Sequence, residues 1–275
     1  HTNKLVCTWT WPIASNEERA IDLLTVSPGS AKINKKTLTV SANIFDFTFD
    51  ENSGRLVKVK NGAKTIPFNN GPVFVASDHH SKDARVKLEM SKSKDLIEID
   101  VKNHPDFDKL TWMISPGGWI KLDYAYSYTG AVDYMGVSFD FPENRMKEMT
   151  WLGKGPYRVW KNRLKGGTLD VWHNTYKNFK VNSAWDYPEF VGYFDDFNWV
   201  VFDTDDGPIT IATDNEDLFL RVYSQKDGHE PRHPQGFGKR GREPAGRGWR
   251  GCPIRCLDRT RDRETRPGPG RRADV

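Results

Sequence analysis

Residues 151–172, which read WLGKGPYRVWKNRLKGGTLDVW, combine aromatic rings with cationic and amide side chains. The segment has no apolar repeat of 3.6 residues, and Gly153, Gly155 and Pro156 indicate a turn directly after a strand. Aromatic rings stack on the C–H faces of sugars, while Arg and Asn supply hydrogen bonds to hydroxyl groups. The segment therefore predicts a carbohydrate-binding turn. The structural alternative is a buried aromatic cluster with an ion-paired arginine.

Several aromatic side chains in and after this segment are candidate sugar platforms. They are Trp151, Tyr157, Trp160, Trp172, Trp185 and Tyr187. A domain of this size must bury some of these rings, so the rings among polar loop residues are the ones expected at the surface. These are Trp160, Trp185 and Tyr187, and we take them as carbohydrate-binding candidates.

The pattern W-x-G-x-G-P resembles the signature of the C-terminal, small-chain domain of family 2 β-galactosidases. Tyr157 and Trp160 take aromatic positions after the Gly-Pro step. Asn162 and Arg163 stand where the family has an Asp-Arg pair. The substitution of Asn for Asp is a departure from the family pattern.

Two further parts of the chain extend the resemblance. Tyr187, Pro188 and Glu189 match an aromatic-Pro-x-Glu or Pro-Glu element of the family, and residues 42–66 resemble its opening hairpins. In all, the resemblance covers roughly residues 37–224, and it is absent at both ends of the chain.

The resemblance implies a fold, a parent activity and two partners. The implied fold is all-β, a large antiparallel super-β-sandwich of the galactose-mutarotase type. The implied parent hydrolyses terminal β-galactosidic bonds with two glutamates on a separate barrel. Nothing here reads as alternating strand and helix, so we expect no catalytic residue in this chain. The expected partners are that catalytic barrel and a carbohydrate, either a galactoside or a polysaccharide.

Arg163 and Glu189 both match positions of the family motif. They could form a sugar-binding pair, or a buried salt bridge that ties the motif turn to the next long loop. With Trp160, Trp185 and Tyr187 they complete the predicted carbohydrate-binding set. A free-standing carbohydrate-binding module remains an alternative to an enzyme domain.

Most other reactive groups in the chain are better explained by structural roles than by catalysis or metal binding. Asp195 and Asp196, like Asp205 and Asp206, fall in sequences typical of turns between strands. The run Asp78-His79-His80 supplies too few ligands for zinc, so we expect neither metal nor cofactor. His173 with Glu189 is a candidate acid–base pair for a mutarotase-type epimerase, although the surrounding sequence does not resemble that family.

The strand signal is clearest from residue 37 onward. Phe45, Phe47 and Phe49 alternate with polar residues at a strict period of two, and residues 51–54 read as a hairpin turn. Residues 61–62, Asn-Gly, predict a second tight turn. The later runs RVKLEMSKS and DLIEIDVKN predict another hairpin, and helical signals are almost absent.

Three segments of different character predict the domain organisation. Residues 1–36 hold a strand-like run and a linker, which in the resembled family would be the remnant of a preceding immunoglobulin-like domain. Residues 37–227 form the expected sandwich. Residues 228–275 contain 12 Arg and one Lys with dense Gly and Pro, which predicts disorder. This tail could be a natural basic arm or a frameshift or cloning artefact.

The charge and apolar patterns limit the partners further. The formal net charge of +4 arises from the Arg-rich tail, so nucleic-acid binding would depend on that tail alone, and we expect no nucleic-acid partner. No run of 18 apolar residues occurs, so we expect no membrane partner. No signal peptide is visible, which leaves the location open; a periplasmic or extracellular parent is compatible with the sequence.

Overall fold

The structure, a computed structural model of the chain, describes residues 13, 15–18, 24, 30–76, 79, 85–93, 95–129, 135–156, 167–175, 193–215, 218–222 and 252–258. Within these ranges it has 18 strands in three antiparallel sheets. The strands are β1 (Ala31–Asn34), β2 (Thr39–Ala42), β3 (Phe45–Phe49), β4 (Leu56–Asn61), β5 (Lys64–Ile66), β6 (Asn69–Ala76), β7 (Lys87–Ser93), β8 (Leu96–Lys102), β9 (Lys109–Ile114), β10 (Ile120–Ala125), β11 (Met135–Phe141), β12 (Met146–Gly155), β13 (Thr168–Thr175), β14 (Tyr193–Phe194), β15 (Trp199–Thr204), β16 (Ile209–Ala212), β17 (Leu218–Val222) and β18 (Cys252–Asp258).

Ten strands form one large sheet, and eight form two smaller ones. The large sheet has the order β1-β2-β3-β4-β6-β11-β18-β17-β14, with β5 paired to β4. The first small sheet has the order β10-β9-β8-β7, and the second has the order β13-β12-β15-β16. The prediction of a mostly β, antiparallel sandwich is confirmed.

The opening hairpins form where the sequence predicts them. Phe47 and Phe49 of β3 are each 3% exposed, as their period of two requires. In the turn that follows, Asp50 Oδ1 accepts hydrogen bonds from the backbone N–H of Ser53 at 2.8 Å and from its hydroxyl at 2.7 Å. The bond from the hydroxyl is the main reason why the pKa of Asp50 lies below its ordinary value. The hairpin of β7 and β8 is likewise confirmed.

Two apolar cores hold the layers together. The first lies between the β1–β6 half of the large sheet and the β7–β10 sheet, and it includes Phe47, Ile99 and Trp112. The second joins β12 and β15 to β17, and it is built around Trp151 and Phe202. The two small sheets therefore bury their inner faces on different parts of the same large sheet.

Helical structure is sparse in the described ranges. A 3₁₀ turn, Glu143–Arg145, connects β11 to β12, and residues 16–18 and 24 are helical. No helix among the described residues is long and apolar enough to cross a bilayer.

Strand β18 lies in the Arg-rich tail, for which composition predicts disorder. Its residues pair with β11 on one side and with β17 on the other. The sequence CPIRCLD is the part of the tail where apolar residues concentrate, which gives a local reason for the difference. At the other end of the chain, β1 lies within residues 1–36 and pairs with β2. The domain boundaries at residues 36 and 227 stay predictions.

Gly54 and Gly62 provide a matched test of the first core. Both have positive φ, +69° and +58°, which disfavours any side chain. A Cβ at Gly54 would lie 2.7 Å from the methyl groups of Val101, whereas a Cβ at Gly62 would meet open space. We expect Gly54→Ala to lower the free energy of unfolding by about 2–4 kcal/mol, because overpacking adds to backbone strain.

The control is Gly62→Ala, which should cost only about 1 kcal/mol from the backbone alone. Urea unfolding followed by tryptophan fluorescence measures both changes. Equal losses for the two variants would contradict the packing of Gly54 against Val101.

Candidate functional site

The five residues of the predicted carbohydrate-binding set lie outside the described residues. Trp160 and Arg163 fall in residues 157–166, and Trp185, Tyr187 and Glu189 fall in residues 176–192. Their roles stay predictions. The structure does describe the residues on which these two segments begin and end, and those residues form the candidate site.

Trp151, the first ring of the signature, belongs to the core. Its side chain is fully buried, and its ring centroid lies 4.3 Å from that of Phe194. β12 alternates, so that Trp151, Gly153 and Gly155 face inward while Leu152 and Lys154 face outward. For Trp151 the structural alternative, a buried aromatic ring, is therefore the correct one.

The two glycines of the signature permit close approaches. A Cβ at Gly155 would lie 2.6 Å from the indole of Trp172, which packs directly over the bare backbone. A Cβ at Gly153 would lie 3.2 Å from the carbonyl oxygens of Asp195 and Asp196. The spacing G-x-G places both glycines on the same face of the strand, so the motif reflects packing on that face.

Trp172 fixes the pairing of β13 with β12. Its indole Nε1–H lies 3.2 Å from the carbonyl oxygens of both Gly153 and Thr168, and Trp172 stands opposite Trp151 in the ladder. This half-buried ring thus has its polar atom engaged with the backbone of its own sheet.

Lys154 links β12 to the loop after β14. Its Nζ lies 2.6 Å from Oδ2 of Asp196 and 3.5 Å from Oδ2 of Asp195, which is 5% exposed. Its backbone N–H donates to the carbonyl oxygen of Asp195 at 2.8 Å. Burial alone would lower the pKa of Lys154, but the hydrogen bond and charge of Asp196, together with Asp195, raise it above its ordinary value.

This arrangement suits structural support better than glycoside hydrolysis. A glycosidase needs one carboxyl group as acid and another as base or nucleophile on either side of the scissile bond. Here both carboxylates contact the same ammonium group, and Asp195 Oδ1 also accepts the backbone N–H of Asp196 at 2.9 Å. The second pair of adjacent aspartates also forms ion pairs, Asp205 with Lys147 and Asp206 with Arg145.

The histidines form local pairs. His173 Nε2 lies 2.8 Å from Glu148, and its Nδ1 lies 3.1 Å from the hydroxyl of Thr150. His79 Nε2 lies 2.9 Å from Asp106, a partner 27 residues along the chain. The described residues contain no group of three potential metal ligands, and Asp78, His80 and Glu189 lie outside them.

A cavity of about 500 Å³ lies where β10 and β16 meet above the large sheet. Aromatic and aliphatic side chains such as Phe47, Leu56 and Trp112 form most of its wall. Among the described residues its charged lining side chains are Lys121 and Asp214, whose Nζ and Oδ2 atoms lie 2.5 Å apart. An apolar wall leaves sugar hydroxyl groups without hydrogen bonds, so this cavity does not support a carbohydrate site.

Comparison with known protein families extends the resemblance noted above. The family model described as Beta galactosidase small chain matches residues 41–243, well over half of the chain. The matched range contains the signature, the candidate site and part of the Arg-rich tail. Comparison with curated protein sequences gives no match.

Lys154 should matter more for stability than other lysines of β12. We expect Lys154→Met to lower the free energy of unfolding by about 1–3 kcal/mol, because it removes the cation beside a buried carboxylate. The control is Lys147→Met on the same strand, whose ion pair with Asp205 is half exposed and should change stability by less than about 0.5 kcal/mol.

The difference in unfolding free energy between the wild type and Lys154→Met should also depend on pH in a defined direction. Because folding raises the pKa of Lys154, its contribution is fully present below the unfolded pKa and is lost as pH rises through the folded pKa. Chemical denaturation between pH 7 and pH 11 should show the wild type converging on Lys154→Met only at the alkaline end. A gap that closes below pH 9 would contradict the assignment.

Proposed function

Because the chain belongs to the β-galactosidase small chain family, we propose that it is a non-catalytic, carbohydrate-associated domain of a family 2-like β-galactosidase. In this proposal the sandwich is of the galactose-mutarotase type. The domain packs on the catalytic barrel and shapes the sugar cleft of a parent enzyme that hydrolyses terminal β-galactosidic bonds.

One observation carries the proposal: the described part of the family signature serves packing. Trp151 is buried, Gly155 accommodates Trp172, and Lys154 binds two carboxylates of a neighbouring loop. Because these signature residues pack the fold, they support a domain with a structural role. They give no support to a catalytic centre at these positions.

The partner follows from the family description. A small chain of β-galactosidase implies association with a large chain. We propose that the large chain supplies the barrel and its two catalytic carboxylates. The present chain would then contribute surface to the cleft.

Carbohydrate binding is a second component of the proposal. Residues 157–166 follow β12 and precede β13 at the Gly155–Thr168 end of the second small sheet, and residues 176–192 precede β14, whose following loop bonds to β12 near the same end. Gly155 pairs with Thr168, and the backbone of Lys154 bonds to Asp195 just after β14. This common anchoring supports a joint sugar site formed by Trp160, Arg163, Trp185, Tyr187 and Glu189.

The purified chain should not hydrolyse glycosides alone. We expect no turnover of 2-nitrophenyl β-galactoside above background when the chain is produced in a host without β-galactosidase. Adding the large chain should give or increase activity. Hydrolytic activity that elutes together with the folded chain during purification would contradict the non-catalytic assignment.

Arg163→Ala separates a structural arginine from a sugar-binding one. If Arg163 forms a buried salt bridge, its removal should lower the free energy of unfolding by about 3 kcal/mol or more, and the melting temperature with it. The control is Arg145→Ala, whose half-exposed ion pair with Asp206 should contribute little to stability.

Binding of galactose or galactosides, followed by tryptophan fluorescence, completes this experiment. An unchanged melting temperature with lost sugar binding would assign Arg163 to the ligand. Tight galactoside binding by the chain without any affinity for the large chain would favour a free-standing carbohydrate-binding module instead.

A further inference from the structure

The outer faces of the two small sheets differ in character. Directly opposite residues in antiparallel strands share a face, so the ladder register shows which side chains form rows across each sheet. In the first small sheet one outer row is Glu89, Asp100, Thr111 and Asp123. Its members form polar contacts, including a hydrogen bond of 2.6 Å from the Thr111 hydroxyl to Asp100. This is the pattern expected of a face that meets water.

The corresponding row of the second small sheet is apolar. It runs Val171, Leu152, Trp199 and Ala212 across all four strands. The strands place these side chains outward, because their neighbours along the chain, Trp151 and Val200 among them, are fully buried in the second core. We call this row, with the adjacent Leu169 and Val201, the apolar outer face.

The apolar outer face is partly accessible. Val171 is 54% exposed, although it lies within a regular strand. The remaining large side chains of the face are half-buried. Contiguous exposed apolar surface rimmed by polar residues is typical of interaction sites, and Thr150, His173 and Lys154 provide such a rim here.

We propose that the apolar outer face binds the large chain of the same enzyme. The proposal deepens the function proposed above and rests on it, since the family implies a large chain. The face determines where on this domain the large chain would sit.

The size of the face fits that occupant. The outer side of the whole sheet has strands of eight, ten, six and four residues, which at about 3.3 Å per residue and about 4.8 Å per strand give an area of about 450 Å². Total burial of up to about 900 Å² from the two partners is in the range of interfaces between domains.

The position of the face also favours the large chain. Lys154 and Leu169 lie at the end of β12 and β13 from which residues 157–166 depart. A large chain bound here would therefore lie beside the strand ends between which Trp160 and Arg163 of the predicted sugar-binding set occur in the sequence. A second copy of this chain would cover the same face without bringing a catalytic site to it.

The test measures affinity for the large chain with Val171→Glu in the full chain. A buried carboxylate in an apolar interface is strongly unfavourable, so we expect the Kd to rise about tenfold or more. The matched control is Val57→Glu on β4, where Val57 is 42% exposed on a different sheet and should leave the Kd within about twofold. Val171→Thr, which preserves shape and strand preference, should weaken binding less.

Circular dichroism and melting temperature check that each variant folds, and analytical ultracentrifugation follows self-association. If Val171→Glu does not fold, Val171→Thr decides the question, and an unchanged Kd for it overturns the proposal. If the wild type and Val171→Glu bind the large chain equally tightly, the choice of face is overturned while the proposed function stands. No binding by the wild type would overturn both, and a dimer of this chain dispersed by Val171→Glu would assign the face to self-association.

Discussion

The burial of Trp151 is the constraint on which the second half of the molecule depends. β12 pairs with strands on both sides, so a shift of one residue would move Trp151 to solvent and turn Leu152 into the core. The same shift would carry Gly153 and Gly155 away from the backbone oxygens and indole that approach them. One buried ring thereby fixes the register of a whole sheet and the place where the candidate site is anchored.

The sequence was informative wherever structure follows from local pattern. The alternation of Phe45, Phe47 and Phe49 and the polar turn after them predicted the opening hairpins, because a period of two and turn chemistry act over a few residues. The contact between Lys154 and Asp195 could not be predicted in this way, since 41 residues separate the partners. β18 was missed for a related reason: the composition of the long tail outweighed seven residues whose pairing partners lie elsewhere in the chain.

The sequence predicted the family of the candidate site correctly, but it did not predict the roles of all its side chains. The spacing of W-x-G-x-G-P identified the family, yet ring chemistry alone suggested a sugar platform at Trp151, where the structure has a core residue. Aromatic side chains serve both purposes, and only burial separates them. The same holds in reverse for Val171, an apolar residue within a regular strand that is nevertheless exposed.

Strand β18 has a consequence for the order in which the molecule is assembled. In the described part of the chain it is the strand that joins β11 to β17, and thus the two halves of the large sheet. Its residues are made more than a hundred positions after those of β11, which gives the pairing a high contact order. During synthesis the edges of β11 and β17 that pair with β18 would stay unpaired until β18 leaves the ribosome. Completion of the large sheet therefore follows the synthesis of every other described strand.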